Sequence, residues 1–184
     1  MNVNLTSEQY LKIVSFSKSS KIEQNGIMEV EVNGKDIDFL SLVPSQGEEV
    51  FKATRNRIEY NNLEFIQKTL YQIAYAKDGI YVVFHTHPSF GGAAALSKAD
   101  IETLKYCEEL ADKWANNGER QRTTIVEAIV TDSEVAFYQY DEQSESVKRL
   151  PLFVDGIEKI PMTEKSKWQI LRESFAEGRN RARK

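Results

Sequence analysis

The sequence predicts an α/β (α+β) domain with a mixed, mainly antiparallel sheet flanked by helices. Three observations carry that reading. Asn33-Gly34 stands between two strand-like runs, a strong hairpin signal. An unbroken apolar run, Ile80-Tyr81-Val82-Val83-Phe84, lies between two helical patterns and reads as a buried strand. A second pair of strand-like runs fills residues 123–141, around a Thr131-Asp132-Ser133-Glu134 turn. Helices and strands that alternate in this way pack as layers over one core.

The elements follow in order. Thr6-Ser7-Glu8 opens a helix, with Ser or Thr as cap and Leu5, Tyr10, Leu11, Ile13, Val14 and Phe16 as its apolar face. The pattern fades over residues 17–21. A strand from about residue 26 to 32 and another from about 36 to 43 form the hairpin, ended by Pro44. Residues 45–62 have mixed charge and weak periodicity, and suit a short strand or an irregular crossing. Leu63, Phe65, Ile66, Leu70, Ile73 and Ala74 give residues 62–79 a helical stripe, closed by Asp78-Gly79. The apolar strand follows and ends at Pro88. Residues 97–117 resume as a long helix, stopped by Asn116-Asn117-Gly118. One or two further strands are expected near residues 147–160. The last stretch reads as a helix with a basic end, Arg179, Arg181, Arg183 and Lys184. A main domain over residues 1–160 and a C-terminal helix and tail over 161–184 are expected.

Composition excludes several classes. The 184 residues suffice for one domain with a full core. Hydrophobic residues make up 41% and charged residues 28%, the balance of an ordinary water-soluble chain. A net charge of −4 gives no global pull towards nucleic acid. The single cysteine, Cys107, cannot form an internal disulfide and fits a reducing compartment. The first ten residues show no basic and apolar signal pattern, and no stretch approaches the roughly 20 apolar residues of a membrane span. The expected location is cytoplasmic, with no membrane partner.

The chemistry concentrates in residues 84–100, FHTHPSFGGAAALSKAD. His85 and His87 are the two histidines of the chain. Side chains at i and i+2 of a strand share a face, so both reach one point from the strand's end. Asp100 lies in the first turn of the next helix. A strand end facing a helix start can close a three-ligand site of nitrogen and oxygen donors. With a fourth position left to water, that is the catalytic pattern of Zn²⁺. Ser97-Lys98-Ala99-Asp100 has a second meaning, a capping-box-like helix start.

His-Thr-His-Pro at residues 85–88 followed by Ser97-x-x-Asp100 resembles the signature of the JAMM (MPN+) metalloproteases. The resemblance covers roughly residues 5–155. It implies a JAMM/MPN-like, cytidine-deaminase-like fold, with Zn²⁺ held by His85, His87 and Asp100. It implies that the Ser97 hydroxyl stabilises an oxyanion, and that a glutamate from an earlier strand is general base and then acid. Glu23, Glu29 and Glu31 are the candidates. Glu23-Gln24-Asn25-Gly26 resembles the family's E-x-x-G, so Glu23 is the first choice and Glu29 the reserve. Such a carboxylate moves a proton from the attacking water to the leaving amine. This chain departs from the family in one place. Nine residues lie between His87 and Ser97, a longer spacer than usual, with the excess in the Gly91-Gly92-Ala93-Ala94-Ala95 run.

The family's commonest reaction is cleavage after the C-terminus of ubiquitin or a ubiquitin-like protein. This compact chain looks like the small prokaryotic members. The expected partners are a ubiquitin-like conjugate and the E1/E2-like proteins of a prokaryotic conjugation system. Two other readings stay open: processing of a sulfur-carrier-type protein, and a non-catalytic scaffold of the same fold.

Overall fold

The computed structural model describes residues 1–19, 23–44, 52–54, 57–59, 79–87, 93–116 and 123–161. In chain order its elements are β1 (Asn2–Leu5), α1 (Ser7–Lys18), β2 (Asn25–Asn33), β3 (Asp36–Pro44), β4 (Lys52–Thr54), β5 (Arg57–Glu59), β6 (Ile80–Thr86), α2 (Lys98–Asn116), β7 (Thr124–Val130), β8 (Val135–Asp141), β9 (Ser146–Arg149), β10 (Leu152–Val154) and β11 (Ile157–Glu158). The helix predicted over 62–79, up to its closing Gly79, and the helix predicted near the C-terminus lie outside the described residues, as does the tail from 162.

Nine strands form one sheet in the order β11-β10-β1-β3-β2-β6-β7-β8-β9, while β4 and β5 pair with each other. The pairings β1–β10, β1–β3 and β6–β7 are parallel. The other five pairings of the large sheet are antiparallel. The mixed, mainly antiparallel sheet predicted from sequence is therefore present, and the fold is α+β. Parallel β6 and β7 are joined through α2, the kind of crossover that parallel neighbours require.

Local chemistry explains the elements. Thr6 caps α1 in a capping box: Gln9 N–H donates to Thr6 Oγ1 at 3.2 Å, and Thr6 N–H donates to Gln9 Oε1 at 2.7 Å. The hairpin forms as predicted, but its two-residue loop is Gly34-Lys35, with Asn33 paired to Asp36. Gly34 stands at φ 66°, which suits the first central position of a tight two-residue turn. Strand β1 is a difference from the sequence reading. Leu5, expected on the face of the first helix, is instead the last residue of β1. Its parallel partners are β3 and β10, the latter through Val3 and Leu152.

Alternation along the central strands sorts the two faces. Val82 and Phe84 of β6, with Val126, Ala128 and Val130 of β7, join Ile13 of α1 in the main core. Phe16 of α1 meets Phe84 edge-on, with ring centroids 5.6 Å apart. Tyr81 and Ile125 face the other way and pack with Leu104 and Ala111 of α2. Odd-numbered residues of β6 and β7 thus point to the α2 side. His85, His87 and Glu127 share that parity.

Candidate metal centre

His85 is the penultimate residue of β6, and His87 follows the strand's last residue. The ladder continues one step past the strand, because His87 N–H donates to Val130 C=O at 2.9 Å. Both rings are thereby carried on rigid backbone. Their Nε2 atoms stand 2.9 Å apart.

Asp100 comes from the first turn of α2. Ser97 N–H donates to Asp100 Oδ2 at 2.6 Å, and Asp100 N–H donates to Ser97 Oγ at 3.2 Å. The capping box anticipated from sequence is real, and it aims the carboxylate. Asp100 Oδ1 lies 3.4 Å from His85 Nε2, and Oδ2 lies 3.6 Å from His87 Nε2. Capping and ligation are thus compatible readings of one motif. The loop end before the helix is clamped as well. Ala94 N–H donates to the buried Glu134 carboxylate at 3.0 Å, and Ala94 C=O accepts from Tyr138 O–H at 2.6 Å. Arg149 balances Glu134 at 2.8 Å.

One donor atom from each of His85, His87 and Asp100 lies within 4.8 Å of the others. Their side chains are 12%, 24% and 16% exposed, so the group is largely enclosed but not sealed from solvent. Three convergent donors, two imidazole and one carboxylate, can hold a divalent metal ion.

Glu23 immediately precedes the segment that leads into β2. Gln24 N–H donates to Thr86 Oγ1 at 2.8 Å, and Gln24 C=O accepts from Thr86 N–H at 2.7 Å. These two bonds tie the Glu23 neighbourhood to the histidine end of β6. In register, Asn25 sits opposite His85. Glu29 lies four residues further along β2, on the exposed surface, and accepts a hydrogen bond from Ser41 Oγ. At about 3.3 Å per residue it is well away from the histidines. Glu31, also exposed, lies further still.

The electrostatics follow from this crowding. Burial depresses the His85 pKa, but hydrogen bonds to Asp100 and Glu127 outweigh it and raise the value to about 10. Burial acts on Asp100 in the opposite sense, yet hydrogen bonds to His85 and Ser97 hold it at about 2. His87 is lowered by burial and by the charge on His85. Glu23 is raised by burial, with His85 opposing and Asp100 reinforcing. Glu23 therefore senses both residues.

Sequence reasoning missed Glu127. Its Oε1 lies 3.0 Å from His85 Nδ1, on the ring edge away from Asp100. The available signal was a lone acid inside the apolar run Ile125-Val126-Glu127-Ala128-Ile129-Val130.

Comparison with known proteins names no family. No family model matches the chain. No curated protein matches it either. Among solved structures it is similar to protein DSY2949 from Desulfitobacterium hafniense, a solution structure. That likeness has a TM-score of 0.43 and 13% identity, and covers 83% of this chain and 92% of the other. Among the described residues, no helix is long and apolar enough to cross a membrane.

Proposed function

We propose that this chain is a zinc-dependent hydrolase of the JAMM (MPN+) type. Its substrate would be the peptide or isopeptide bond after the C-terminus of ubiquitin or a ubiquitin-like protein, presented by a prokaryotic conjugation system with E1/E2-like components. The observation that carries the reading is the convergence of His85, His87 and Asp100 on one point, and Glu23 joins it as the carboxylate on which the charges of His85 and Asp100 act.

His85, His87 and Asp100 would hold the zinc ion, which when bound would supply a water of lowered pKa and a positive charge for a carbonyl oxygen. The chain's own residues do the rest. Glu23, raised above the ordinary carboxylate range by burial, accepts a proton from the attacking water and returns it to the leaving amine. Ser97 Oγ accepts the Asp100 N–H, which leaves its own hydrogen to donate to an oxyanion. The Ala94 clamp holds the approach to Ser97 in place.

The test is metal content of wild type, His87→Ala and Glu23→Ala, followed by cleavage of a ubiquitin-like fusion. About one zinc per chain is expected in wild type and Glu23→Ala, with loss in His87→Ala. A wild-type protein that cannot be loaded with zinc overturns the reading.

The pH dependence of zinc uptake has a defined sign. With a pKa of about 10, His85 is protonated at neutral pH before the ion arrives, and that proton must leave. Affinity should therefore rise with pH, by about tenfold between pH 6 and 7 for one displaced proton. Calorimetry in buffers of different ionisation enthalpy counts the proton directly. An affinity that is flat over this interval contradicts the displacement.

A further inference from the structure

Buried acids are costly, so each one in this fold calls for a reason. Among the described residues, three lie almost fully enclosed: Glu108, Glu127 and Glu134. Two serve the backbone. Glu108 Oε1 accepts from Ile125 N–H at 2.8 Å, at the start of β7. Glu134 holds Ala94 N–H and pairs with Arg149. Glu127 differs. Its Oε1 lies 3.0 Å from His85 Nδ1, and its buried Oε2 has no hydrogen-bond partner among the described residues. A carboxylate kept for structure would satisfy both oxygens. This one addresses an imidazole.

The parallel register explains how it arrives there. Val83 pairs with Glu127 and His85 with Ile129, so Glu127 stands one same-face step back from His85 along the neighbouring strand. The two ring nitrogens of His85 then face opposite carboxylates: Nδ1 meets Glu127, and Nε2 meets Asp100.

We infer that Glu127 is a positioning residue of the metal centre: it accepts a hydrogen bond from the Nδ1–H of His85, fixes the ring, and presents Nε2 as the ligand atom. This inference rests on the metal-centre reading above. The carboxylate also makes the imidazole a stronger donor, as outer carboxylates do for metal-bound histidines. Glu127 touches neither substrate nor ion, and acts only through His85.

The experiment measures zinc affinity by competition with a chromophoric chelator, for wild type, Glu127→Gln and Glu127→Asp. The glutamine keeps the shape and loses the charge, and the aspartate keeps the charge and shortens the reach. Both should bind zinc about 10–100-fold more weakly than wild type. The melting temperatures of the metal-free proteins are measured beside the affinities, because Glu127→Gln also removes a partner of His85 and a loss of fold must be read separately from a loss of zinc. A second readout is nitrogen-15 NMR of the zinc-loaded protein, made simple by the two histidines in the chain. His85 should be bound through Nε2, with a proton on Nδ1 that exchanges slowly in wild type and fast in Glu127→Asp. If wild type takes up zinc and both variants bind it within about twofold of wild type, the positioning role is overturned while the metal centre stands. If wild type takes up none, the metal centre falls and Glu127 with it.

Discussion

Glu23→Gln is expected to keep a full complement of zinc and to lose hydrolysis of a ubiquitin-like fusion by about 10²–10⁴-fold, the usual worth of a positioned general base. The separation of the two effects is the point. Glu23 stands outside the group of three convergent donors, yet burial and the charges of His85 and Asp100 all act on it. Gln24 locks its neighbourhood to Thr86 by two backbone-anchored hydrogen bonds, so a glutamine should occupy the same place. What the amide cannot do is take and return a proton. Zinc content and kcat/KM, measured on one preparation, read the two effects separately. Cleavage at the wild-type rate would remove Glu23 from the chemistry. Loss of zinc would make it a ligand. Glu29→Gln serves as the control and should leave both quantities unchanged, because Glu29 is exposed and occupied by Ser41.

The choice between Glu23 and Glu29 shows where sequence reasoning stops. Strand β2 was legible, and alternation correctly put Glu29 and Glu31 on its exposed side. Which end of β2 meets the histidines depends on its antiparallel register with β6, a contact between segments 60 residues apart (Asn25 and His85). Local patterns do not encode that register. The histidine pair and the Asp100 helix start were legible because each is local: a two-residue strand period and a three-residue capping motif. Glu127 was not, because its meaning depends on β7 lying parallel to β6 in one particular register. Strand β1 was missed for a related reason. Four residues of alternating Asn and apolar side chains carry little signal, and Val3 finds its partner Leu152 across nearly the whole chain.

Gly26→Val should prevent the folded sheet from forming, and Gly26→Ala should lower the melting temperature by several degrees and weaken zinc binding with it. A Cβ on Gly26 would stand 2.3 Å from Val43 C=O, 2.8 Å from Pro44 Cα and 2.7 Å from the Phe84 ring. Two of these three atoms are backbone of β3, so the clash cannot be relieved by a side-chain rotation. Overpacking of a tight site costs about 1–3 kcal/mol and sometimes more, against a total stability of about 5–15 kcal/mol. At roughly 2–4 °C per kcal/mol for a chain of this size, calorimetry resolves the alanine change easily. The damage should reach the metal centre, because Gly26 pairs with Phe84 and Asn25 with His85. Gly34→Ala is the matched control. Gly34 has nothing within 4 Å of its Cβ position, and its cost is confined to a positive φ, about 1 kcal/mol. It should therefore lose less stability than Gly26→Ala and bind zinc as wild type does. If the two alanine variants behave alike, the close approach of β3 and β6 to β2 is not what demands a glycine three residues after Glu23. If they separate as expected, the glycine has a physical job of its own: it lets three strands close tightly where β2 meets the histidine end of β6.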